Sequence, residues 1–362
     1  MKKIRVYYYN PFLTTETLKI LNKGEMPLQS YYGLNYFDNN IEIVIHKLAT
    51  RHPNNLFNRA LRNITNFLSI LKSYRKYDLI YVTNARGIKL LAFLRALKIF
   101  PKPVCMLIHW AVIVPESKLK RPISKLYIKG FDHLFFFSRE LLDISLKTGW
   151  IKNSKVVHWG CDLDFYDKRI QHTTHTITTQ YLSTGTEKRD FKTLVQSFEQ
   201  AKMPLTLYLT EKSGNIDYKS AFDKFSYNKS LIDVIFLKAK INLTAIAKTA
   251  NCIVISLSPF TKNKIYPLGL TSLVEAMTLA KPVIITDNQY NGIDVEKIGC
   301  GIKVAYNDIN SWINAIKFMS ENKEIAVEMG KKGRKFIENS YNLKIFGQEL
   351  SDYFIKINHS NL

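Results

Sequence analysis

Apolar and polar positions alternate between two periods along this chain. Short runs rich in β-branched and aromatic residues predict strands at 4–9 (IRVYYY), 41–46 (IEIVIH), 78–83 (DLIYVT), 103–109 (PVCMLIH), 133–138 (HLFFFS) and 155–158. Stretches of helical spacing lie between them. In 58–74, Leu61, Ile64, Phe67, Leu68 and Leu71 recur on one face of a helix. Helices are also predicted at 87–97, 120–130 and 139–148, the last stopped by Gly149. The second half repeats the style, with strands at 180–183, 205–209, 234–237, 252–257 and 282–286. Its helices are predicted at 190–200, 272–279, 309–321 and 323–340. Apolar strands alternating with helices mean buried parallel sheets, hence the α/β class. A length of 362 residues accommodates two such sheets in succession. The boundary is expected at 160–179, whose polar run (QHTTHTITTQ) reads as a linker.

Composition narrows the function classes. Hydrophobic residues make up 46% and charged residues 23%, which excludes a disordered, collagenous or coiled-coil chain. The formal charge is +22, and residues 1–158 carry +17 of it, with 26 basic and 9 acidic residues. A segregated excess of this kind points to an anionic partner. Cys105, Cys161, Cys252 and Cys300 stand apart in apolar or Gly surroundings and read as buried thiols in a reducing compartment. The first nine residues, MKKIRVYYY, lack the apolar core of a signal peptide, and the longest apolar run (103–115) is too short to span a bilayer.

The most informative stretch is 266–287, YPLGLTSLVEAMTLAKPVIITD. A strand runs into a loop holding Pro259, Pro267 and Gly269, and a helix is expected to start near Thr271 or Ser272. Free N–H groups at a helix start, with the helix dipole, make an anion site. Gly269 lets a ligand approach the backbone, and Glu275 lies one turn in. The same residues satisfy a purely structural pattern, the capping box Ser272-x-x-Glu275, so spacing alone leaves both readings open.

This segment resembles the signature of the retaining glycosyltransferases of family 4, in its Glu275-Ala276-Met277 and Lys281-Pro282-Val283-Ile284. The first Glu of the family's E-x7-E pattern would fall at Pro267 and is missing. Pro267-Leu-Gly269-Leu270-Thr271 is similar instead to a subgroup with P-S-G-Q-T before the Glu. His158-Trp-Gly160-Cys-Asp162-Leu-Asp164-Phe165 resembles the family's interdomain motif, and 181–194, with Gly185 and Arg189-Asp190-Phe191, the strand and loop that open its second domain. The resemblance implies the GT-B fold: two Rossmann-like parallel-sheet domains facing each other across a cleft. They would span 1–158 (acceptor-binding) and 159–345 (nucleotide-sugar-binding), with a C-terminal helix, 346–362, returning to the first.

It also implies roles. Glu275 would bind the ribose hydroxyls of the donor. Arg189, and less strongly Lys188 and Lys192, would hold its diphosphate, because a guanidinium fork matches two phosphate oxygens. Gly185, Gly269, Leu270 and Thr271 would line that site, and Gly33 would face the phosphates from the first domain. His109, at a strand end, would be the catalytic residue near the donor sugar. No metal or cofactor is expected: Asp162 and Asp164 form D-x-D but sit in the boundary motif. The donor would be a UDP- or GDP-sugar. The acceptor would be a glycan or lipid-linked glycan, as in assembly of bacterial surface polysaccharide or lipopolysaccharide.

The basic residues of the first domain, among them Arg51, Arg59, Arg62 and the cluster Lys118, Lys120, Arg121, Lys125 and Lys129, would suit an anionic membrane surface. The expected location is cytoplasmic, peripheral on the inner face of the cell membrane, with no nucleic-acid partner. Two other readings stay open: a nucleotide-sugar epimerase on the same fold, and a basic nucleic-acid-binding protein.

Overall fold

A computed structural model describes residues 3–46, 55–171, 179–213, 216–237, 243–260 and 264–360. Arg51 and most of the polar run at 171–180 fall outside them. The chain divides into two compact units.

Unit 1 comprises Met1–Trp159, Lys262–Tyr266 and Leu343–Leu362. Its strands are β1 (Ile4–Tyr9), β2 (Ile41–Ile45), β3 (Leu79–Val82), β4 (Val104–Ile108), β5 (His133–Phe136) and β6 (Asn153–Val156). Between them run α1 (Thr15–Asn22), α2 (Leu56–Lys72), α3 (Lys89–Ala96), α4 (Lys120–Lys129) and α5 (Arg139–Leu146). The strands form one sheet in the order β2-β1-β3-β4-β5-β6, parallel throughout. β3 and β4 are buried at every residue. That burial is why they read as continuous apolar runs rather than as alternation.

Helix α2 forms where the spacing predicts it, but its apolar stripe is not its buried face. Of its apolar stripe, Ile64, Leu68 and Leu71 are exposed, with Phe57 beside them, while the buried positions are Asn66 and Ile70. The inner face is polar for a reason. Asn66 Nδ2 donates to the Tyr9 hydroxyl (2.6 Å) and the Gly87 carbonyl (3.1 Å), and its Oδ1 lies 3.3 Å from His46 Nε2. Burial pushes the His46 imidazole down to about 4, so it stays neutral between Tyr7 and Asn66.

Unit 2 comprises Gly160–Thr261 and Pro267–Asn342. In chain order it contains α6 (Leu163–Gln171), β7 (Thr179–Thr184), α7 (Phe191–Ala201) and β8 (Leu205–Leu209). A two-stranded antiparallel ribbon follows, β9 (Lys212–Ser213) with β10 (Ile216–Asp217), and then α8 (Tyr218–Asp223). Next come β11 (Ile232–Phe236), α9 (Leu243–Thr249), β12 (Ala250–Ile255), α10 (Leu270–Thr278) and β13 (Val283–Thr286). The unit ends with α11 (Val295–Ile298), β14 (Gly301–Val304), α12 (Ile309–Glu321) and α13 (Lys323–Ser340). The main sheet is parallel, ordered β11-β8-β7-β12-β13-β14. Tyr181, Phe198, Leu207, Val254 and Trp312 are in its core.

The expected linker is partly a helix. Asp162 caps α6 by accepting from the Phe165 N–H (3.3 Å), and Tyr166 is buried. On α6, Asp167 makes a bidentate pair with Arg334 of α13 (2.7 and 2.9 Å).

The last helix, α14 (Leu343–Ser360), belongs to unit 1. It buries Phe346, Leu350, Phe354 and Ile357, a stripe at helical spacing. Phe354 meets the rings of Phe37, Tyr81 and Phe135 at 5.3–6.2 Å. Glu349 accepts from the His158 backbone N–H (2.8 Å) and lies 2.6 Å from its Nδ1.

Candidate functional site

In a doubly wound sheet, ligands bind beyond the strand C-terminal ends, where the strand order reverses. In unit 2 that point lies between β7 and β12. β7 ends at Thr184 and the chain turns at Gly185, whose φ of +86° is in the left-handed region. A Cβ at 185 would lie 2.7 Å from Arg189 Nη2 and 3.3 Å from Ser272 Oγ. The glycine is therefore required by conformation and by the guanidinium beside it.

Arg189 is only 9% exposed. Its Nη2 donates to Ser272 Oγ (2.8 Å) and weakly to the Thr184 carbonyl (3.4 Å). Its Nε and Nη1 are buried without a hydrogen-bond partner, and no carboxylate among the described residues makes an ion pair with it. Burial pushes the guanidinium down to about 10, opposed by Glu187, Tyr218 and Glu275. A buried cation without an ion-pair partner is costly, so a guanidinium with two uncommitted nitrogens is suited to an anionic ligand. Lys188 and Lys192 are exposed. The Lys188 carbonyl accepts from the Ser258 N–H (2.8 Å), which ties the Gly185 loop to the loop after β12.

The helix across the switch point starts earlier than its sequence suggests. α10 begins at Leu270 and its N-cap is Gly269, at φ +83°, with no side-chain cap. Ser272 is thus not the N-cap, and the capping-box reading of Ser272 and Glu275 does not hold. Gly269 wins because the chain must enter the helix from a left-handed residue packed on Ile255 and Leu257. The side chains of Ser272 and Glu275 are released for other work. Leu270 is buried and its N–H donates to the Pro267 carbonyl (3.2 Å), whereas Thr271 is exposed at the amino end of the helix. Asn288 Nδ2 holds the approach loop through the Leu268 carbonyl (2.9 Å).

Glu275 is half-buried one turn into α10 and accepts from the Tyr166 hydroxyl at 2.8 Å. Tyr166 joins the candidate site through this bond and was not singled out from sequence. Its signal lies in the chain: it stands two residues past Asp164 of the boundary motif. Tyr218 was also missed; its hydroxyl donates to the Thr186 carbonyl inside the Gly185 loop. Ser183 and Ser256, at the ends of the two strands flanking the switch point, have buried hydroxyls without partners. Gly185, Arg189, Ser272 and Glu275 are thus brought together, with Lys188 on the rim.

His109 and Gly33 belong to unit 1. His109 Nε2 lies 2.8 Å from the Thr83 carbonyl, so Nε2 carries the proton and Nδ1 presents a lone pair. Burial lowers its pKa, which keeps the ring neutral among Tyr32 and Phe137 at about 5 Å. Gly33 sits in a tight turn at φ +92°, against Phe37 and Leu350. Among the described residues, no group of three or more His, Cys, Asp or Glu is placed to hold a metal ion, and no helix is long and apolar enough to cross a membrane.

No protein-family model matches the chain, and no curated protein matches it. Solved structures do. A sucrose-phosphate synthase from Thermosynechococcus elongatus is 14% identical over 99% of this chain and 100% of its own, with a TM-score of 0.66. HepE from Anabaena, solved in complex with UDP, is 12% identical over 98% and 100%, with a TM-score of 0.64. An α,α-trehalose 6-phosphate synthase from Burkholderia multivorans is 10% identical over the whole of both chains, with a TM-score of 0.69. Likeness along the whole chain, together with two six-stranded parallel sheets, shows the α/β fold of the GT-B glycosyltransferases.

Proposed function

We propose that the protein is a glycosyltransferase that moves a sugar from a nucleotide sugar, UDP-linked in the first instance, to a glycan or lipid-linked acceptor. The observation that carries this reading is the buried Arg189 guanidinium, with Nε and Nη1 uncommitted, at the switch point beside the amino end of α10. A diphosphate is the ligand such a guanidinium and dipole suit. Support comes from neighbours of the same fold, including HepE with UDP-glucose and a trehalose-6-phosphate protein from E. coli with UDP-2-fluoro glucose. In this reading Glu275, steadied by Tyr166, takes the ribose hydroxyls. Arg189 and the α10 amino end stabilise the leaving diphosphate as charge develops on it, without a resident metal. Transfer with retention, the leaving phosphate taking the acceptor proton on the same face, and a place in bacterial surface-glycan assembly follow from the resemblance around Glu275. His109, neutral with Nδ1 available, would accept a hydrogen bond from a sugar hydroxyl.

The direct test is calorimetric titration with UDP and with uridine, followed by donor hydrolysis in the presence and absence of EDTA. Glu275→Gln should weaken UDP and uridine alike, by roughly tenfold or more, since a hydrogen bond to a charged acceptor contributes about 1.5–3 kcal/mol. Tyr166→Phe should produce a smaller loss of the same kind. If Glu275→Gln leaves both ligands unaffected, the ribose role is wrong; if EDTA abolishes turnover, the metal-free reading is wrong.

Association with an anionic membrane surface is also part of the proposal. Leu119 is 85% exposed and Ile123 60%, among exposed Lys118, Lys120, Arg121 and Lys125. α2, which packs against α3 as α4 does, presents Phe57, Ile64, Leu68 and Leu71 outward. Apolar side chains ringed by cations suit an acidic leaflet, where each Lys or Arg contributes about 1 kcal/mol. The protein should sediment with vesicles containing phosphatidylserine and not with neutral ones. Changing Lys118, Lys120, Arg121 and Lys125 together to Glu should abolish sedimentation. Equal sedimentation with both vesicle types would remove this part of the proposal.

A further inference from the structure

The sheet of unit 1 has a switch point of its own, between β1 and β3. By the rule that locates the site in unit 2, ligands are expected beyond the C-terminal ends of these two strands. Two loops leave there, one from Tyr9 and the other from Val82 through Arg86 and Gly87. The second loop is rigidly held. The Tyr9 hydroxyl donates to the Arg86 carbonyl (2.6 Å), Asn66 Nδ2 to the Gly87 carbonyl (3.1 Å), and the Arg86 N–H to Asn84 Oδ1 (3.0 Å).

Positive charge converges on this loop. A Cβ at Gly87 would lie 3.1 Å from Arg62 Cγ, so the stem of Arg62 leans on the turn that carries Arg86. The next residue but one to Gly87 begins α3, whose N-cap, Ile88, has no capping side chain. The Lys89 N–H donates to Asn63 Oδ1 (2.7 Å), which places the amino end of α3 beside the residue next to Arg62. Arg62 and Arg86 repel one another, Arg59 adds to the field at Arg62, and Arg86 stands 5.9 Å over the ring of Phe12.

Nothing acidic answers this charge. Residues 43–115 hold 12 Lys and Arg against one acidic residue, Asp78. Asp78 is taken by Arg5 in a bidentate pair (2.7 and 3.2 Å). No ion pair engages Arg62 or Arg86 among the described residues, and the remaining segments of the chain contain no Asp or Glu. Arg62 Nε and the Tyr127 hydroxyl are buried without a partner. Exposed cations need no counter-ion, but a partly buried guanidinium beyond a strand end, beside a second one and near a helix amino end, suits an oxyanion.

We propose that unit 1 carries a phosphate-binding site at its own switch point, made by Arg62, Arg86 and the amino end of α3, and that it holds a phosphate group of the acceptor. The site itself stands on unit 1 alone; calling its ligand the acceptor rests on the transferase reading above. Phosphate could come from a lipid carrier or from a soluble sugar phosphate, and the test separates them.

Inorganic phosphate is titrated calorimetrically into the full chain at saturating UDP, then geranyl phosphate and glucose 6-phosphate in the same way. One phosphate per chain should bind to the wild type. Arg62→Gln with Arg86→Gln should weaken it at least about tenfold, and Arg86→Gln alone, at an exposed side chain, by a smaller factor. UDP affinity within about twofold of wild type reports that the variants are folded. Tighter binding of geranyl phosphate than of inorganic phosphate assigns the lipid source, and tighter binding of glucose 6-phosphate the soluble one. The site is overturned if wild type takes up no phosphate, or if the double variant binds it as wild type does. The acceptor assignment is overturned if neither organic phosphate binds more tightly than inorganic phosphate. Failure of wild type to bind UDP would strike the transferase reading, and the comparison of wild type with the Arg62 and Arg86 variants would still decide the site.

Discussion

Arg189→Met is expected to lower affinity for UDP about 100-fold while leaving affinity for uridine unchanged. Two lost charge-assisted hydrogen bonds to a diphosphate correspond to about 3 kcal/mol or more, and a factor of 100 is about 2.7 kcal/mol. The same substitution should leave the ligand-free protein as stable as wild type or up to about 2 kcal/mol more stable. It removes a guanidinium that is nine-tenths buried with two nitrogens uncommitted, and replacing such a charge by an apolar side chain of similar length relieves its desolvation. Loss of binding with stability retained or gained separates a ligand-holding arginine from a structural one. A chemical-denaturation series and two titrations measure both quantities. A variant that loses several kcal/mol without ligand, or that weakens uridine as much as UDP, would show that Arg189 serves the fold.

Gly160→Ala should destabilise unit 2 by about 3 kcal/mol or more and lower its melting temperature by roughly 10 °C. The reason is steric. A Cβ at 160 would overlap the carbonyl oxygen and carbon of Tyr341 and lie 2.7 Å from the Asn342 nitrogen. Those atoms are backbone and cannot swing aside. The neighbouring Cys161 pairs with Asn342 in an isolated parallel bridge, so the two segments are fixed against each other. The glycine of the boundary motif is therefore explained by a close chain crossing. A melting temperature within about 2 °C of wild type would mean that the crossing is looser than it stands here.

Much of the fold was legible along the chain because of where its apolar residues fall. The central strands of both sheets are covered on both faces, so 79–82, 104–108, 252–255 and 283–285 read as unbroken apolar runs. Helices α7 and α12 carry one buried face each and start at Asp190 and Asp308, N-caps visible in sequence. Glu275 and Arg189 were legible through motif resemblance, and Gly185 through its place between a strand and a helix.

Tertiary structure decided the rest, because it turns on which surface an element meets. The spacing of α2 shows an apolar stripe; in the fold Asn66 points inward to Tyr9 and His46, and Ile64 and Leu68 face outward. Periodicity reports that a helix has an apolar side and is silent about what lies against it. Ser272 and Glu275 have capping-box spacing, yet the entry angle set by packing Gly269 on Leu257 moved the cap upstream and left Ser272 to Arg189. Sequence ranks Arg189 above Lys188 and Lys192 through its guanidinium, and the fold adds that Arg189 alone of the three is buried. The clustering of Arg62 with Arg86 joins residues 24 positions apart through the order β2-β1-β3. Local sequence determined the elements, and the long-range strand order determined which side chains share a site.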